Sequence, residues 1–185
     1  MKRLPLWLLG ALLLGGIVHL STVLAMPQAA TQDAYSRLAR LTPVNKVVPL
    51  PPPDARAAIM PFMDPAFAAA VCRYDLSSGA LKLNAPVSQA YTSVTFYTRN
   101  SVAYYAINDR AAGRRAIELD LMTPEQHAQM PEDEDVTAAD RLIIESPTTT
   151  GLIVLRALAP EPGAMEKARS SLAGARCGVE VQAQQ

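Results

Sequence analysis

With 185 residues the chain has room for one core of ordinary size, since single domains use roughly 100 to 200 residues. Half of the residues are hydrophobic, but much of that excess precedes residue 27, so the remainder has the composition of an ordinary soluble domain. Seventeen basic and seventeen acidic side chains cancel, which removes the electrostatic footprint of a nucleic-acid binder or of a protein gripping anionic lipid.

After Lys2 and Arg3, residues 4–25 carry no formal charge. As a helix they span roughly 30 Å, the thickness of a hydrocarbon core. Both basic residues precede the apolar run and Trp7 lies near the same end, so the positive-inside rule predicts a cytoplasmic N-terminus and an exported remainder. The competing reading is a cleaved signal peptide ending at Val23-Leu24-Ala25. Its apolar core would normally be 7 to 15 residues, shorter than the run present, which favours an anchor. Either way the rest of the chain is exported.

Residues 31–41 place Ala34, Tyr35, Leu38 and Leu41 at helical spacing, with Thr31 as cap and Asp33 in the first turn, and predict a short amphipathic helix. Seven prolines between Pro43 and Pro65 then forbid helix and predict an extended connector. From Phe67 the period becomes that of strands. Residues 67–76 and 80–84 flank Ser77-Ser78-Gly79 as a predicted hairpin, and residues 91–98 and 102–107 flank Arg99-Asn100-Ser101 as a second. Residues 115–122 alternate, with Ile117, Leu119 and Leu121 on one face and Glu118 and Asp120 on the other. Thr123-Pro124-Glu125-Gln126 predicts a capped helix to about Met130. The acidic run from Glu132 to Asp135 lacks the spacing and glycine of a calcium loop and is read as a solvated loop. Residues 141–145 and 152–158 are predicted to form a further strand pair, followed by a helix near 164–172 and a last extended run over 177–181. The expected fold is thus α+β and β-rich. An N-terminal transmembrane helix (1–26) leads through a short helix and Pro-rich connector (27–66) to an antiparallel β-meander domain with short flanking helices (67–185).

Few constellations capable of chemistry exist. Cys72 and Cys177 have no neighbour at metal-ligand spacing, and His19 and His127 are the only histidines, so neither a metal nor another cofactor is expected. A nucleophilic triad would depend wholly on His127, which no Gly-x-Ser-x-Gly elbow accompanies. Asp64 and Asp75 are the one conceivable acid–base pair of carboxylates, and are read as turn and edge residues. Arg73, Arg99 and Arg156, with Asp64, are the candidate contacts to a ligand or partner, because a guanidinium fork matches a carboxylate. In an oxidising compartment two lone cysteines in one domain predict a Cys72–Cys177 disulfide, with the two close in space and the terminal strand pinned beside residues 67–76.

Asp64-Pro65-Ala66-Phe67, Tyr74-Asp75-Leu76-Ser77-Ser78-Gly79-Ala80-Leu81, Ser146-Pro147-Thr148 and Leu155-Arg156-Ala157-Leu158 together resemble the bacterial domain-of-unknown-function family numbered 1254, over roughly residues 30 to 175. The family's usual Asn-x-Asp-Thr-x-Tyr stretch is here Met63-Asp64-Pro65-Ala66-Phe67. The resemblance implies a β-rich domain often accompanied by a second, uncharacterised one. This chain ends before such a domain would fit, so a separate envelope protein carrying the companion is expected as a partner. The sequence therefore predicts a single-pass protein of the cytoplasmic membrane with a periplasmic domain that binds or scaffolds another envelope component without catalysis. The alternative is an enzyme, or enzyme subunit, acting on a small anionic substrate.

Overall fold

The computed structural model describes residues 3–29, 33–53, 59–60, 63–112, 116–130 and 142–179. They fall into two compact units, residues 1–33 and 34–185. The first unit is the helix α1, Leu4–Ala29. Leu4–Met26 within it is apolar and long enough to cross a membrane, and its side chains are exposed all round. A helix with no polar face has no preferred side to bury, which suits lipid on every side. Its Thr22 hydroxyl donates to the Val18 carbonyl at 2.8 Å, so that polar group is satisfied within the helix.

The second unit packs two β-sheets over one core. Its strands are β1 Val47–Pro49, β2 Phe67–Asp75, β3 Leu81–Pro86, β4 Thr92–Thr98, β5 Ala103–Asn108, β6 Ala116–Met122, β7 Leu142–Glu145, β8 Thr150–Leu158 and β9 Arg176–Val179. One sheet has the order β1-β2-β8-β4-β5, the other β7-β6-β3-β9. All pairings are antiparallel except β6 with β7. The helices are α2 Ala34–Ala39, α3 Asp109–Ala112, α4 Pro124–Ala128 and α5 Met165–Ala173. The α+β, β-rich architecture is as expected.

Alternation explains which faces meet. Ala68, Ala70, Cys72 and Tyr74 of β2 point inward with Val94 and Phe96 of β4 and Ile153, Leu155 and Ala157 of β8. Opposite them lie Leu81, Leu83 and Ala85 of β3 and Ile117, Leu119 and Leu121 of β6. Each large apolar side chain so buried contributes roughly 1.5 to 3 kcal/mol relative to exposure. Helix α5 adds Ala168 and Leu172 to the same core. On the outer face of the five-stranded sheet, Leu38 of α2 covers Val71 and Leu152.

The β4–β5 hairpin forms as predicted, with Ser101 at φ 63° in its turn. Its bulge opposite Phe96 and Tyr97 lets both Tyr104 and Tyr105 pack on Phe96. Helix α4 carries the full capping box: Thr123 accepts from the Gln126 amide, and the Gln126 side chain accepts from the Thr123 amide. Strand β6 and helix α5, which ends at Gly174, also lie where the sequence puts them.

Two predicted pairings are corrected. Strands β2 and β3 do not form a hairpin; the chain arches at Ser77-Ser78-Gly79 from one sheet to the other, helped by Gly79 at φ 137°. Asp75 holds the arch by accepting from the Ser77 amide and hydroxyl at 2.9 and 2.5 Å, and the Gln126 side chain donates to the Leu76 carbonyl at 2.7 Å. Strands β7 and β8 likewise belong to different sheets, with β7 running parallel to β6. In both cases a strand partner distant in sequence outcompetes the adjacent one. Within the Pro-rich stretch, Val47–Pro49 joins the sheet edge as β1. Asn45, at φ 56°, guides it there by exchanging side-chain hydrogen bonds with the Asp75 backbone at 2.8 and 3.0 Å. The 31–41 helix is shorter than expected and Leu41 is exposed. Its predicted cap Thr31 and the acidic run of Glu132 to Asp135 lie outside the described residues.

Cys72 of β2 and Cys177 of β9 face each other across the interior at disulfide distance, with Cα atoms 6.5 Å apart. They are close, but in opposing sheets: β9 pairs with β3, not with β2.

Candidate functional site

The proposed ligand arginines separate into two sets. Arg73 on β2 and Arg99 in the β4–β5 turn converge on the Tyr35 ring of α2, with guanidinium carbons 5.7 and 4.1 Å from its centroid. The Arg99 Nη2 donates to the Ser36 hydroxyl at 3.5 Å. The Arg73 Nε is buried and has no hydrogen-bond acceptor among the described residues. Cation–π stacking thus fastens α2 to the sheet through two arginines. Asp75, also near Arg73, has its carboxyl held below the ordinary range, chiefly by the two Ser77 hydrogen bonds and less by Arg73.

Arg156 is exposed on β8. It lies beside Ala69 and Ser93, four residues from the position level with Arg73, or roughly 13 Å along the strand. Asp64 is exposed in the turn before β2, accepting from the Ala66 amide at 2.9 Å. Asp64 and Asp75 bracket the whole of β2, so they stand roughly 27 Å apart, far beyond the roughly 5 to 9.5 Å of a glycosidase pair.

His127 meets Glu145 at 2.7 Å, Nδ1 to Oε1. The neighbouring Ser146 turns the other way: its side chain is buried and its oxygen lies 3.0 Å from the Tyr74 hydroxyl. The Ser146 proton is committed to the Thr148 carbonyl at 2.6 Å. The Tyr74 proton therefore faces two acceptors, the Ser146 oxygen at 3.0 Å and the Tyr97 carbonyl at 3.3 Å, and Tyr104, 3.3 Å away, donates to Tyr74. Burial pushes the Tyr104 phenol well above its ordinary range. The network is a structural brace, since its serine has no base. No group of three His, Cys, Asp or Glu side chains suited to a metal occurs among the described residues.

A groove of about 270 Å³ lies at the α5 end of the five-stranded sheet. It is lined by Pro51, Pro52 and Pro53, by Met63, Pro65 and Phe67, and by Pro162, Met165 and Arg169 from the α5 region. Met165 and Arg169 reach it together because residues four apart share a helix face. Among the described residues of the lining, Arg169 is the single ionisable one. It has no hydrogen-bond or ion-pair partner among the described residues. Such a lining can bind and orient an apolar group but offers no nucleophile, general base or acid. Sequence reasoning passed over this site because three separated segments build it; the one local signal was the Met165–Arg169 spacing.

The protein in hand is a two-sheet domain with an apolar groove and, among the described residues, no assembled catalytic cluster. The chain belongs to the family described as a protein of unknown function, DUF1254, whose model matches residues 44–178. Among solved structures it is similar to the VPA0106 protein from Vibrio parahaemolyticus, with a TM-score of 0.61 and 10% identity over 84% of this chain and 35% of that one. It is also similar to an uncharacterised protein from Burkholderia cenocepacia, with a TM-score of 0.46 and 14% identity over 74% of this chain and 34% of that one. The chain spans about a third of the length of these solved proteins. The first likeness shows a shared fold. No curated protein matches.

Proposed function

We propose that this protein is a membrane-tethered module of the cell envelope that binds another envelope component rather than transforming it. The observation that carries this reading is the groove: among the described residues its lining is apolar with one unpaired cation, Arg169, whereas a catalytic pocket gathers several ionisable groups. The apolar α1 and the facing cysteines support a tethered domain in an oxidising compartment. We place the N-terminus in the cytoplasm and the domain in the periplasm from Lys2 and Arg3. In that compartment Cys72 and Cys177 form a disulfide. A separate envelope protein is the partner we favour. Arg156, exposed on the sheet face, is the contact best placed outside the groove.

Purification of the tagged full-length chain from membranes in mild detergent tests this reading. One envelope protein is expected to copurify with the wild type and to be lost from Arg156→Glu, which reverses the charge at the exposed contact on the sheet face. Recovery of the chain alone, or equal recovery of partner by the variant, contradicts it.

A further inference from the structure

We infer that the groove takes a single hydrocarbon chain ending in a carboxylate, with the carboxylate on Arg169 and the chain along the proline wall. The inference deepens the binding reading above and rests on it. Three observations fix the ligand's chemistry. First, five prolines line the groove: Pro51, Pro52, Pro53, Pro65 and Pro162. Proline has no amide hydrogen, so these positions offer no backbone donor to a peptide, whose own polar groups would lie buried and unpaired at a cost. A chain of methylenes has no such requirement.

Second, Arg169 is half-buried at this apolar surface and has no acceptor of its own among the described residues. Glu166, one turn earlier on α5, is exposed and does not pair with it, and Lys167 is engaged by Gln89 at 3.0 Å. A guanidinium in that state favours one anionic group presented in its plane, and a carboxylate matches its fork. Third, the volume of about 270 Å³ lies at the lower edge of small-molecule pockets, which selects a short single chain over a branched or two-chain lipid. Rigid proline walls also keep the groove from collapsing when empty, so little ordering is needed on binding.

The test uses full-length protein in lipid nanodiscs with ¹³C-methyl methionine, titrated with octanoate, octylamine, octanol and N-acetyl-trileucine. Met63 and Met165 line the groove, and the core residue Met122 reports the fold. Saturable shifts of the Met63 and Met165 methyls are expected with octanoate, with octylamine and octanol weaker by about tenfold or more. Arg169→Gln should reduce octanoate binding to the level of octanol while leaving the Met122 signal in place, and Arg169→Lys should restore part of it. An absence of saturable shifts with octanoate overturns the inference, as does an equal response to octylamine or to the tripeptide. So does unchanged octanoate binding by a folded Arg169→Gln. If octanoate fails while an envelope protein still copurifies with the wild type and not with Arg156→Glu, this ligand class is wrong and the binding reading stands.

Discussion

Removing single oxygens from the brace at the arch before β8 should destabilise the domain in a defined order. Tyr74→Phe deletes one buried hydroxyl that donates to Ser146 at 3.0 Å and accepts from Tyr104 at 3.3 Å. The ring remains, so no cavity forms; one buried hydrogen bond of about 1 kcal/mol is lost, plus a weaker one at a half-buried partner, or about 1.5 kcal/mol in all. Ser146→Ala strips more: the Tyr74 hydroxyl loses its nearer acceptor and keeps the Tyr97 carbonyl at 3.3 Å, while the Thr148 carbonyl loses its donor at 2.6 Å and the Thr148 amide its acceptor at 3.3 Å. Leaving several such groups short of partners should cost about 2 to 3 kcal/mol. Because the two residues share one bond, the double variant should be less destabilised than the sum by at least roughly 0.5 kcal/mol. Guanidinium unfolding followed by circular dichroism, with the full chain in detergent, measures all three. A Ser146→Ala cost no greater than that of Tyr74→Phe, or strict additivity, would refute the assigned direction of the proton chain.

Further outcomes can be checked in the same assay. A Cβ at Gly151 would collide with the Tyr97 carbonyl and the Tyr74 ring, so Gly151→Ala should destabilise by about 1 to 3 kcal/mol, and a neutral effect would contradict that close approach. Asn45→Ala removes both hydrogen bonds that dock the β1 edge on Asp75 and leaves a left-handed residue without them; a loss of about 1 to 2 kcal/mol is expected, and Asn45→Asp should retain part of it. Asp75, held below the ordinary carboxylate range by Ser77, favours the folded state while ionised. That contribution is complete above its unfolded pKa of about 4 and is lost as pH falls through the lower folded value. The stability advantage of wild type over Asp75→Asn should therefore shrink as pH drops below about 4, and a pH-independent difference would count against it.

Where local chemistry decides structure, the sequence is legible. The capping box at Thr123 and Gln126, the alternation of Ile117, Leu119 and Leu121, and the β4–β5 turn all form as read. The arches were not legible, because a short turn between two alternating strands looks the same whether the strands pair or divide between sheets. The choice is made by β8, which pairs with β2 from some 75 residues away, roughly the separation of Tyr74 and Ser146. Val47–Pro49 escaped notice for a related reason: its pairing relies on Asn45 mimicking a strand backbone inside a stretch dominated by proline. Among the candidate contacts, Arg73 and Arg99 share a ring that fastens α2. Arg169 and Met165, which face the groove, carried no motif. The proximity of Cys72 and Cys177 followed from there being two cysteines and from the expectation of an oxidising compartment, not from strand pairing, and it held although the strand neighbour inferred from it did not.

Intact mass of the native protein, extracted from membranes and alkylated without reductant, bears most directly on the tethered, exported domain. The account predicts a chain that keeps its apolar N-terminal helix and takes up no alkyl group on Cys72 or Cys177. Two alkylated thiols, or a mature chain beginning after Ala25, would contradict it.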